Sequence, residues 1–349
     1  MTEIPVSAED LTPQWLTALL VEHGRDDRIT DVRITPVGTG QMAGSFRLDL
    51  TYAKPTDLPR SMVAKLAIGN ADQRAFASGA FRNEVRFYRD LVAGFEVPTP
   101  RCFASTMSES GSEFVLLLED MAAARQGDQI SGCTPAQVES VAVAAAGLHG
   151  PRWNDPGLLE QFPLPTADDR ILMDSVLEPM AELYRERFRP GPLESATVDW
   201  LVDRAGDWLT TPITDVALIH GDLRVDNVLF GPDDAVTVID WQTITSGHPL
   251  RDIAFLLSTS LTVDDRRAHE HGIVETYHRA LLSYGVSDYT WQQCWQDYVD
   301  NLIQAPLIVV FGSGAAQPTE RGDAMFATML SRSATAIDDL IPDALTRTT

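Results

Sequence analysis

The segment that most restricts the fold of this chain is a polar loop followed by two short apolar runs, within residues 216–241. The turn residues 231–234 separate the two runs, a pattern typical of a β-hairpin. Asp222 and Asn227 lie in the loop before the hairpin, and Asp240 ends its second strand. Because a hairpin returns the chain to its starting point, we expect Asn227 and Asp240 to lie close together. Their oxygen atoms could bind a hard cation such as Mg²⁺, which leaves Asp222 to orient or deprotonate a hydroxyl.

Two different periodicities predict a chain of two lobes. Before residue 119, alternating runs such as residues 46–52 predict strands, and residues 74–93 have helical spacing. Beyond residue 119 helical spacing dominates, and it predicts one of the helices over about residues 290–310. A length of 349 residues agrees with two domains. We therefore predict an α+β fold with three parts: residues 1–118 as a small β-rich lobe with one main helix, 119–128 as a connecting segment, and 129–349 as a larger, mostly helical lobe.

The charge balance makes several kinds of partner unfavourable. Lysine and arginine total 27 against 50 aspartates and glutamates, so the formal net charge is −23. A field of this sign repels nucleic acid and anionic lipid, and we expect neither as a partner. No apolar run approaches the ~18 residues of a membrane span, and the first residues do not resemble an export signal. The three cysteines show no CxxC spacing, so we expect a cytoplasmic protein without disulfides.

Two charged residues interrupt apolar patterns in the first lobe. Lys65 lies within the apolar run MVAKLAI, where an unpaired ammonium would be costly to bury. Glu84 lies on the apolar stripe of its helix. Their opposite charges suggest an ion pair, although each side chain could equally reach solvent at the edge of its element.

The combination of these features is more specific than any one of them. The chain has no GxxxxGK[ST], GxSxG or HExxH motif, but it has the spacing HxDxxxxN followed by an apolar strand that ends in Asp. It resembles the protein-kinase-like superfamily, and within it the aminoglycoside phosphotransferase and choline kinase-like enzymes, with most similarity to the bacterial branch related to ecdysteroid kinase-like proteins. The resemblance covers about residues 30–260 and implies a bilobal protein-kinase-like fold. In such a fold residues 1–118 would form the nucleotide-binding lobe, 119–128 the hinge, and 129–349 the catalytic and acceptor-binding lobe.

The resemblance implies roles in the second lobe. HGDLRVDN resembles the catalytic loop, so Asp222 would receive the acceptor proton, while Asn227 and Asp240 would bind Mg²⁺. Arg224 would add positive charge near the transferred phosphoryl group, or would equally well be a surface residue paired with Asp226. His149 and His220 are expected to pack or brace the loop, Trp241 to pack beside the metal site, and Asp252 to be the family's structural aspartate.

The nucleotide site implied by the resemblance lies in the first lobe. Lys65 would bind the α and β phosphates of ATP, and Glu84 would orient it. GTGQMAGS resembles the glycine-rich phosphate loop, and LLLEDM the hinge that meets adenine. The implied contacts in these two segments are Gly38, Gly40, Gly44 and Ser45, and the backbone of Glu119 and Met121.

Departures from the protein-kinase pattern indicate the class of acceptor. HGD replaces HRD, DWQ replaces DFG, and only eleven residues separate Asp240 from Asp252, which leaves little room for an activation loop. We therefore predict an ATP-dependent kinase of a small hydroxylated molecule, of unknown oligomeric state. Two alternatives stay open: a kinase of hydroxyacyl-CoA compounds, and a nucleotide-binding pseudokinase without turnover. The helically spaced aromatic residues Trp291, Trp295 and Tyr298 favour core packing over an acceptor pocket.

Overall fold

The computed structural model describes residues 3–38, 43–341 and 343–345 of the chain. The described residues form two compact units. The first unit comprises those within Met1–Ala93, Thr99–Ala123 and Ile239–Thr243, and the second those within Gly94–Pro98, Ala124–Val238 and Ile244–Thr349. Asp240 therefore belongs to the first unit, although it follows a hairpin of the second. The lobe boundaries predicted at residues 118 and 129 stay a prediction.

A five-stranded antiparallel sheet forms the centre of the first unit. Its strands are β1 (Ile29–Val37), β2 (Ala43–Tyr52), β3 (Ser61–Ala67), β4 (Cys102–Met107) and β5 (Phe114–Glu119). Their spatial order is β1-β2-β3-β5-β4, so β3 lies in the middle. Leu48 is opposite Met62 in this register, and both are fully buried. The alternation predicted over residues 46–52 is thus confirmed as a strand with one face in the core.

Helices cover both faces of this sheet. They are α1 (Pro13–Glu22), α2 (Ala71–Phe76) and α3 (Ser78–Arg86). Thr12 caps the N-terminus of α1 with its hydroxyl, which accepts from the Trp15 N–H, and the helix packs with Ala64 and Leu117 in one core. On the other face, Phe81 of α3 contacts the ring of Phe114 at 4.8 Å. The single helix predicted over residues 74–93 is divided, because α2 ends before Ala77 and the backbone of residues 87–91 forms a π-helical turn.

Helices dominate the second unit, as predicted. They are α4 (Pro135–His149), α5 (Pro156–Gln161), α6 (Ala167–Phe188), α7 (Pro192–Thr210), α8 (Leu250–Ser260), α9 (Val263–Ser283), α10 (Trp291–Asp300), α11 (Gln304–Ala315) and α12 (Glu320–Leu340). The prediction of one helix over residues 290–310 is wrong, because a turn at residues 301–303 separates α10 from α11. Pro306 explains the break, because a proline has no N–H and is best accommodated in the first turn of a new helix. No helix among the residues that the structure describes is both long and apolar enough to cross a membrane.

Short strands hold the polar loop of the second unit. They are β6 (Arg125–Gln126), β7 (Ala217–Ile219), β8 (Val228–Phe230), β9 (Val236–Val238) and β10 (Thr245–Gly247). The predicted hairpin is confirmed: β8 pairs with β9, and Val228 is opposite Val238. Asn227 therefore directly precedes one strand of the hairpin, and Asp240 follows the other by two residues. Strand β7 pairs with β10 and leads into the loop that begins at His220.

Candidate functional site

One group of candidate functional residues is an ammonium between two carboxylates, all within the first unit. Lys65 is in the middle of β3, and its side chain points away from the α1 core because its neighbours Ala64 and Leu66 point into that core. Its Nζ donates to Glu84 Oε1 at 2.7 Å and to Asp240 Oδ1 at 3.0 Å. The predicted contact between Lys65 and Glu84 is present, and Asp240 joins it.

The charges of these groups depend on one another. Burial lowers the pKa of Lys65, but the facing carboxylates of Asp240 and Glu84 outweigh burial and raise it above the ordinary lysine value. Burial raises the pKa of Glu84, Lys65 opposes that effect, and Asp240 adds to it. The Glu84 side chain is 1% exposed, whereas that of Asp240 is 40% exposed. Lys65 is therefore a permanent cation whose second partner, Asp240, is accessible to a ligand.

The segment that carries Asp240 is fixed by packing and hydrogen bonds. Asp240 has a φ of 68°, a left-handed conformation that aspartate tolerates better than most residues. The next residue, Trp241, is fully buried and stacks on Phe87 with ring centroids 3.7 Å apart, as its predicted packing role requires. Gln242 then donates from Nε2 to Glu84 Oε2 at 3.2 Å. Sequence analysis missed Gln242, although it stands in the DWQ motif that replaces DFG.

The predicted phosphate loop is only partly described. Gly40 lies outside the described residues. Gly38 has a φ of 76°, which favours glycine, and a Cβ on Gly44 would lie 2.8 Å from the Phe46 ring. Ser45 is directly opposite Lys65 in the register of β2 and β3. Cross-strand neighbours share a face of the sheet, so Ser45 is on the side that carries the ammonium.

The predicted hinge begins at Glu119, the last residue of β5. The N–H of Glu119 donates to the carbonyl of Arg101 at 2.8 Å, so only the carbonyl of Glu119 could contact a base. Asp120, the next residue, accepts from Arg47 Nε at 2.8 Å. Burial raises the pKa of Asp120, but the hydrogen bonds from Arg47 and Ser61 outweigh burial and lower it overall. The ion pair fixes the chain just before Met121.

A separate group of candidate functional residues is the polar loop of the second unit, centred on Asp222. The Asn227 amide nitrogen donates to Asp222 Oδ2 at 2.9 Å and to the Asp222 carbonyl at 2.8 Å. Arg224 Nε lies 3.2 and 3.3 Å from the two carboxylate oxygens of Asp222, and its Nη1 donates to Asp226 at 2.8 Å. The structure thus places Arg224 beside both Asp222 and Asp226, and the carboxylate of Asp222 is held by donors from both neighbours.

The available donor atoms suit a hard divalent cation. Both hydrogen bonds of Asn227 use its amide nitrogen, so neither occupies the amide oxygen. Asp240 contributes an accessible carboxylate. Carbonyl and carboxylate oxygens are the ligands that Mg²⁺ takes in proteins, usually together with phosphate oxygens and water. Asp240 of the first unit and Asn227 of the second therefore each carry an oxygen atom of the kind that the predicted cofactor takes.

A buried aspartate of the second unit holds the start of the polar loop through hydrogen bonds. Asp252 of α8 accepts from the backbone N–H groups of His220 at 2.6 Å and Gly221 at 2.9 Å, and contacts His149 Nε2 at 3.1 Å. Burial opposes ionisation of Asp252, but the hydrogen bond and charge of His149 hold its pKa below the ordinary value. His149 is fully buried and also contacts the hydroxyl of Tyr277. The packing role predicted for His149 is confirmed.

Two further residues fix the loop, and sequence analysis missed their roles. Gln129 donates its N–H to Asp226 Oδ1 at 2.8 Å, and its Oε1 accepts from the Val225 N–H at 3.1 Å. Arg321 of α12 reaches both carboxylate oxygens of Asp226, at 3.3 and 3.4 Å. Gln129 and Arg321 are far from the loop in sequence, so no local pattern could have revealed them.

A second cluster in the same unit consists of Asp215, His248 and Asp297. The Leu250 N–H donates to His248 Nδ1 at 3.2 Å, so Nε2 carries the ring proton and donates to Asp297, also at 3.2 Å. A metal would need the lone pair of Nε2. The cluster is therefore a hydrogen-bonded group rather than a metal site.

The aromatic series of α10 is only partly buried. Tyr298 is fully buried and donates its hydroxyl to Glu270, which confirms its predicted core position. Trp291 and Trp295 are half-buried, and both contact the exposed ring of His271, at centroid distances of 4.9 and 5.0 Å. For these two tryptophans, core packing is incomplete.

Comparison with solved structures identifies the fold. The chain aligns with a choline kinase from Cryptosporidium parvum Iowa II at a TM-score of 0.54 and 10% identity, over 90% of this chain and 91% of that one. It aligns with the enzyme in a gentamicin–APH(2")-IIa complex at a TM-score of 0.52 and 14% identity, over 96% and 99% of the two chains. The predicted α+β, protein-kinase-like fold is confirmed.

Comparison of sequences identifies the family. The chain is 29% identical to acyl-CoA dehydrogenase family member 11 of Gallus gallus over 168 residues, which are 47% of this chain and 21% of that protein. The chain thus spans about a fifth of the length of this relative. A family model described as "Phosphotransferase enzyme family" matches residues 50–289, more than half of the chain. The predicted enzyme class is confirmed, and the chain belongs to the phosphotransferase enzyme family.

Proposed function

We propose that this chain is an ATP-dependent kinase that transfers the γ-phosphoryl group to a hydroxyl group of a small molecule. The observation that carries the proposal is the contact of Lys65 with both Glu84 and Asp240. It combines a permanent cation for phosphate oxygens with a carboxylate accessible to a cation. Family membership supports the same chemistry.

The first unit would bind the nucleotide. Glu84 is almost fully buried and accepts from Lys65 and Gln242, so it fixes the direction of the ammonium toward the site. Ser45 lies beside Lys65 on the sheet and offers a hydroxyl to the phosphates. The backbone of Glu119 and Met121 would meet the base, with Glu119 using its carbonyl.

Asp240 and Asn227 would hold Mg²⁺ through a carboxylate oxygen and an amide oxygen. When bound, the ion would neutralise charge on the phosphate oxygens. Asp240 also keeps its contact with Lys65, so one carboxylate orients two positive charges. A phosphoryl group spreads its charge over several oxygens, and fixed positive charges stabilise that charge in the transition state.

Asp222 would act as the base that accepts the proton of the acceptor hydroxyl. Asn227 holds one of its carboxylate oxygens, and Arg224 contacts both. Its side chain is about a quarter exposed, so an acceptor can reach it. Positioning of a base within hydrogen-bond reach of the proton is the main requirement for this step.

The acceptor is the open part of the proposal. The Gallus gallus relative is named as an acyl-CoA dehydrogenase family member, so a hydroxyacyl-CoA compound belongs among the acceptors to be tested. The name describes the whole of that longer protein and favours neither this acceptor nor another. A pseudokinase would bind ATP without transferring phosphate to any of them.

The test is a screen for acceptor-dependent release of ADP, with hydroxylated metabolites, hydroxyacyl-CoA thioesters and aminoglycosides as acceptors. We expect at least one acceptor to stimulate ADP release by the parent enzyme. Asp222→Asn should abolish that stimulation but retain ATP binding, because Asp222 acts on the acceptor. As a matched control, Asp203→Asn changes an exposed aspartate of α7 and should be fully active. Turnover by Asp222→Asn equal to that of the parent would remove the proposed base.

A further inference from the structure

A chain of charged side chains links helix α12 to the catalytic loop. Arg321 contacts Asp226, Asp226 contacts Arg224, and Arg224 contacts Asp222. Resting on the proposed role of Asp222 as the base, we propose that Arg321 is a positioning residue for phosphoryl transfer, which acts on Asp222 through Asp226 and Arg224.

Arg224 is the centre of this chain. Its Nε faces the carboxylate of Asp222, and its Nη1 faces that of Asp226. The side chain is 19% exposed, and its guanidinium is planar, so binding at both ends fixes the orientation of the whole group. The position of Arg224 therefore depends on how strongly each carboxylate attracts it.

Arg321 changes that balance. Asp226 is buried and would draw Arg224 toward itself, away from Asp222, if its charge were not matched elsewhere. Arg321 supplies a second guanidinium to both oxygens of Asp226, and Asp128 lies 3.6 Å from the same arginine. With Arg321 present, two arginines form ion pairs with the two carboxylates of Asp222 and Asp226. Arg224 can then keep its contact with the base.

Asp226 is also held by contacts outside this series of ion pairs. Asp226 also accepts from the N–H of Gln129, and Gln129 Nε2 donates to the Thr259 carbonyl at 2.8 Å. Asp226 is thus tied to two other segments of the second unit. Loss of Arg321 should therefore shift the side chain of Arg224 rather than that of Asp226, which keeps its contact with Gln129.

The test measures kcat and KM for ATP in Arg321→Gln, with an acceptor found by the screen. We expect kcat to fall about two- to fivefold, the scale for a half-exposed ion pair, while KM for ATP is unchanged. Arg321→Lys should recover part of the loss because it restores the charge. The matched control is Arg170→Gln, which removes a half-exposed arginine paired with Asp207 on other helices of the same unit, and which should have parent kcat.

A double-mutant cycle tests the route through Arg224. Arg224→Lys cannot bridge two carboxylates in the same way, so adding Arg321→Gln to it should lower kcat little further. Parent kcat in Arg321→Gln, or additive losses in the cycle, would overturn the positioning role. Equal losses of kcat and thermal stability in Arg321→Gln and Arg170→Gln would also overturn it. If Asp222→Asn is inactive in the same assay, such failure concerns Arg321 alone; if Asp222→Asn is active, the proposed base fails as well.

Discussion

The ammonium of Lys65 lies 3.0 Å from Asp240 Oδ1, although 175 positions separate the two residues in sequence. Asp240 therefore faces a fixed cation of its own unit and, by our proposal, Mg²⁺. Its carboxylate would contact both positive charges. Removing it should therefore have two opposite effects on the affinity for ATP, one with Mg²⁺ and one without.

Replacing Asp240 should change the metal dependence of ATP binding. Asp240→Ala should abolish most of the gain in ATP affinity that Mg²⁺ gives, and Asn227→Ala should reduce it less, because a carboxylate binds a hard cation better than a neutral amide does. Without Mg²⁺, ATP should bind Asp240→Ala at least as well as the parent, since Lys65 has lost a competing anion. Calorimetric titration with and without Mg²⁺ measures both effects.

The control for this experiment is Asp49→Asn, a change in the same unit that removes the ion pair of Asp49 with exposed Arg33. It should leave both titrations unchanged. If Asp240→Ala binds MgATP as tightly as the parent, Asp240 is not a metal ligand.

Lys65 and Glu84 should act as one unit in nucleotide binding. Lys65→Met removes the phosphate-binding cation, and Glu84→Gln removes the carboxylate that orients it. Since the groups are 2.7 Å apart, the double variant should lose less ATP affinity than the sum of the single losses, with a coupling of about 1 kcal/mol or more. Asp57→Asn, at an exposed site of the same unit, should be additive with Lys65→Met. Additivity of Lys65 and Glu84 would contradict the pairing.

Asp252 should be essential for stability and for its pH dependence. In Asp252→Asn an amide N–H₂ faces the N–H of His220 or Gly221, so the free energy of unfolding should fall by about 2–4 kcal/mol at neutral pH. The pKa of Asp252 is lower in the folded state, so its contribution is complete above the unfolded value of about 3.9 and is lost as the pH falls below it.

Urea unfolding at several pH values measures this contribution. The difference between parent and Asp252→Asn should shrink as the solution is acidified below about pH 4. Asp203→Asn should differ from the parent by less than about 0.5 kcal/mol throughout. A pH-independent difference for Asp252→Asn would show that ionisation of Asp252 does not stabilise the fold.

Gly127 should tolerate no side chain, because its backbone lies directly against the polar loop that contains Asp222. A Cβ there would lie 2.1 Å from the Val225 carbonyl oxygen, and the Gly127 N–H donates to the Val228 carbonyl at 2.9 Å. Gly127→Ala should therefore lower the free energy of unfolding by about 1–3 kcal/mol and reduce kcat, as the loop shifts. Gly272→Ala in α9, with nothing within 4 Å of its Cβ, should instead stabilise the protein by up to about 1 kcal/mol. Thermal unfolding and kcat of both variants check this.

Local patterns in the sequence predicted much of the fold. The strands of the first unit, the hairpin at β8 and β9 and most helices follow from periodicity and turn residues. The ion pair of Lys65 and Glu84 could be predicted because both charges interrupt apolar patterns. The helix breaks at residues 77 and 301–303 were missed, since a helical stripe of apolar residues can continue across a change of axis.

The remaining contacts of the site could not be predicted from local pattern. Gln129 and Arg321 contact Asp226 from 97 and 95 residues away in sequence. Glutamine and arginine are common residue types on protein surfaces, so nothing in the local sequence distinguishes these two. Such contacts depend on how helices pack in three dimensions. The position of Asp240 in the first unit could not be predicted from local pattern either, because the hairpin that precedes it belongs to the second unit.

The most direct measurement of the central claim is the fate of the γ-phosphoryl group itself. The parent enzyme is supplied with ATP labelled with ¹⁸O on that group, Mg²⁺ and an acceptor from the screen, and the product is analysed by mass spectrometry. We predict that the acceptor carries the labelled phosphoryl oxygens with the parent and Asp203→Asn, and that no labelled product forms with Asp222→Asn despite normal ATP binding. Label found only in inorganic phosphate, or labelled product formed equally by Asp222→Asn, would contradict the account.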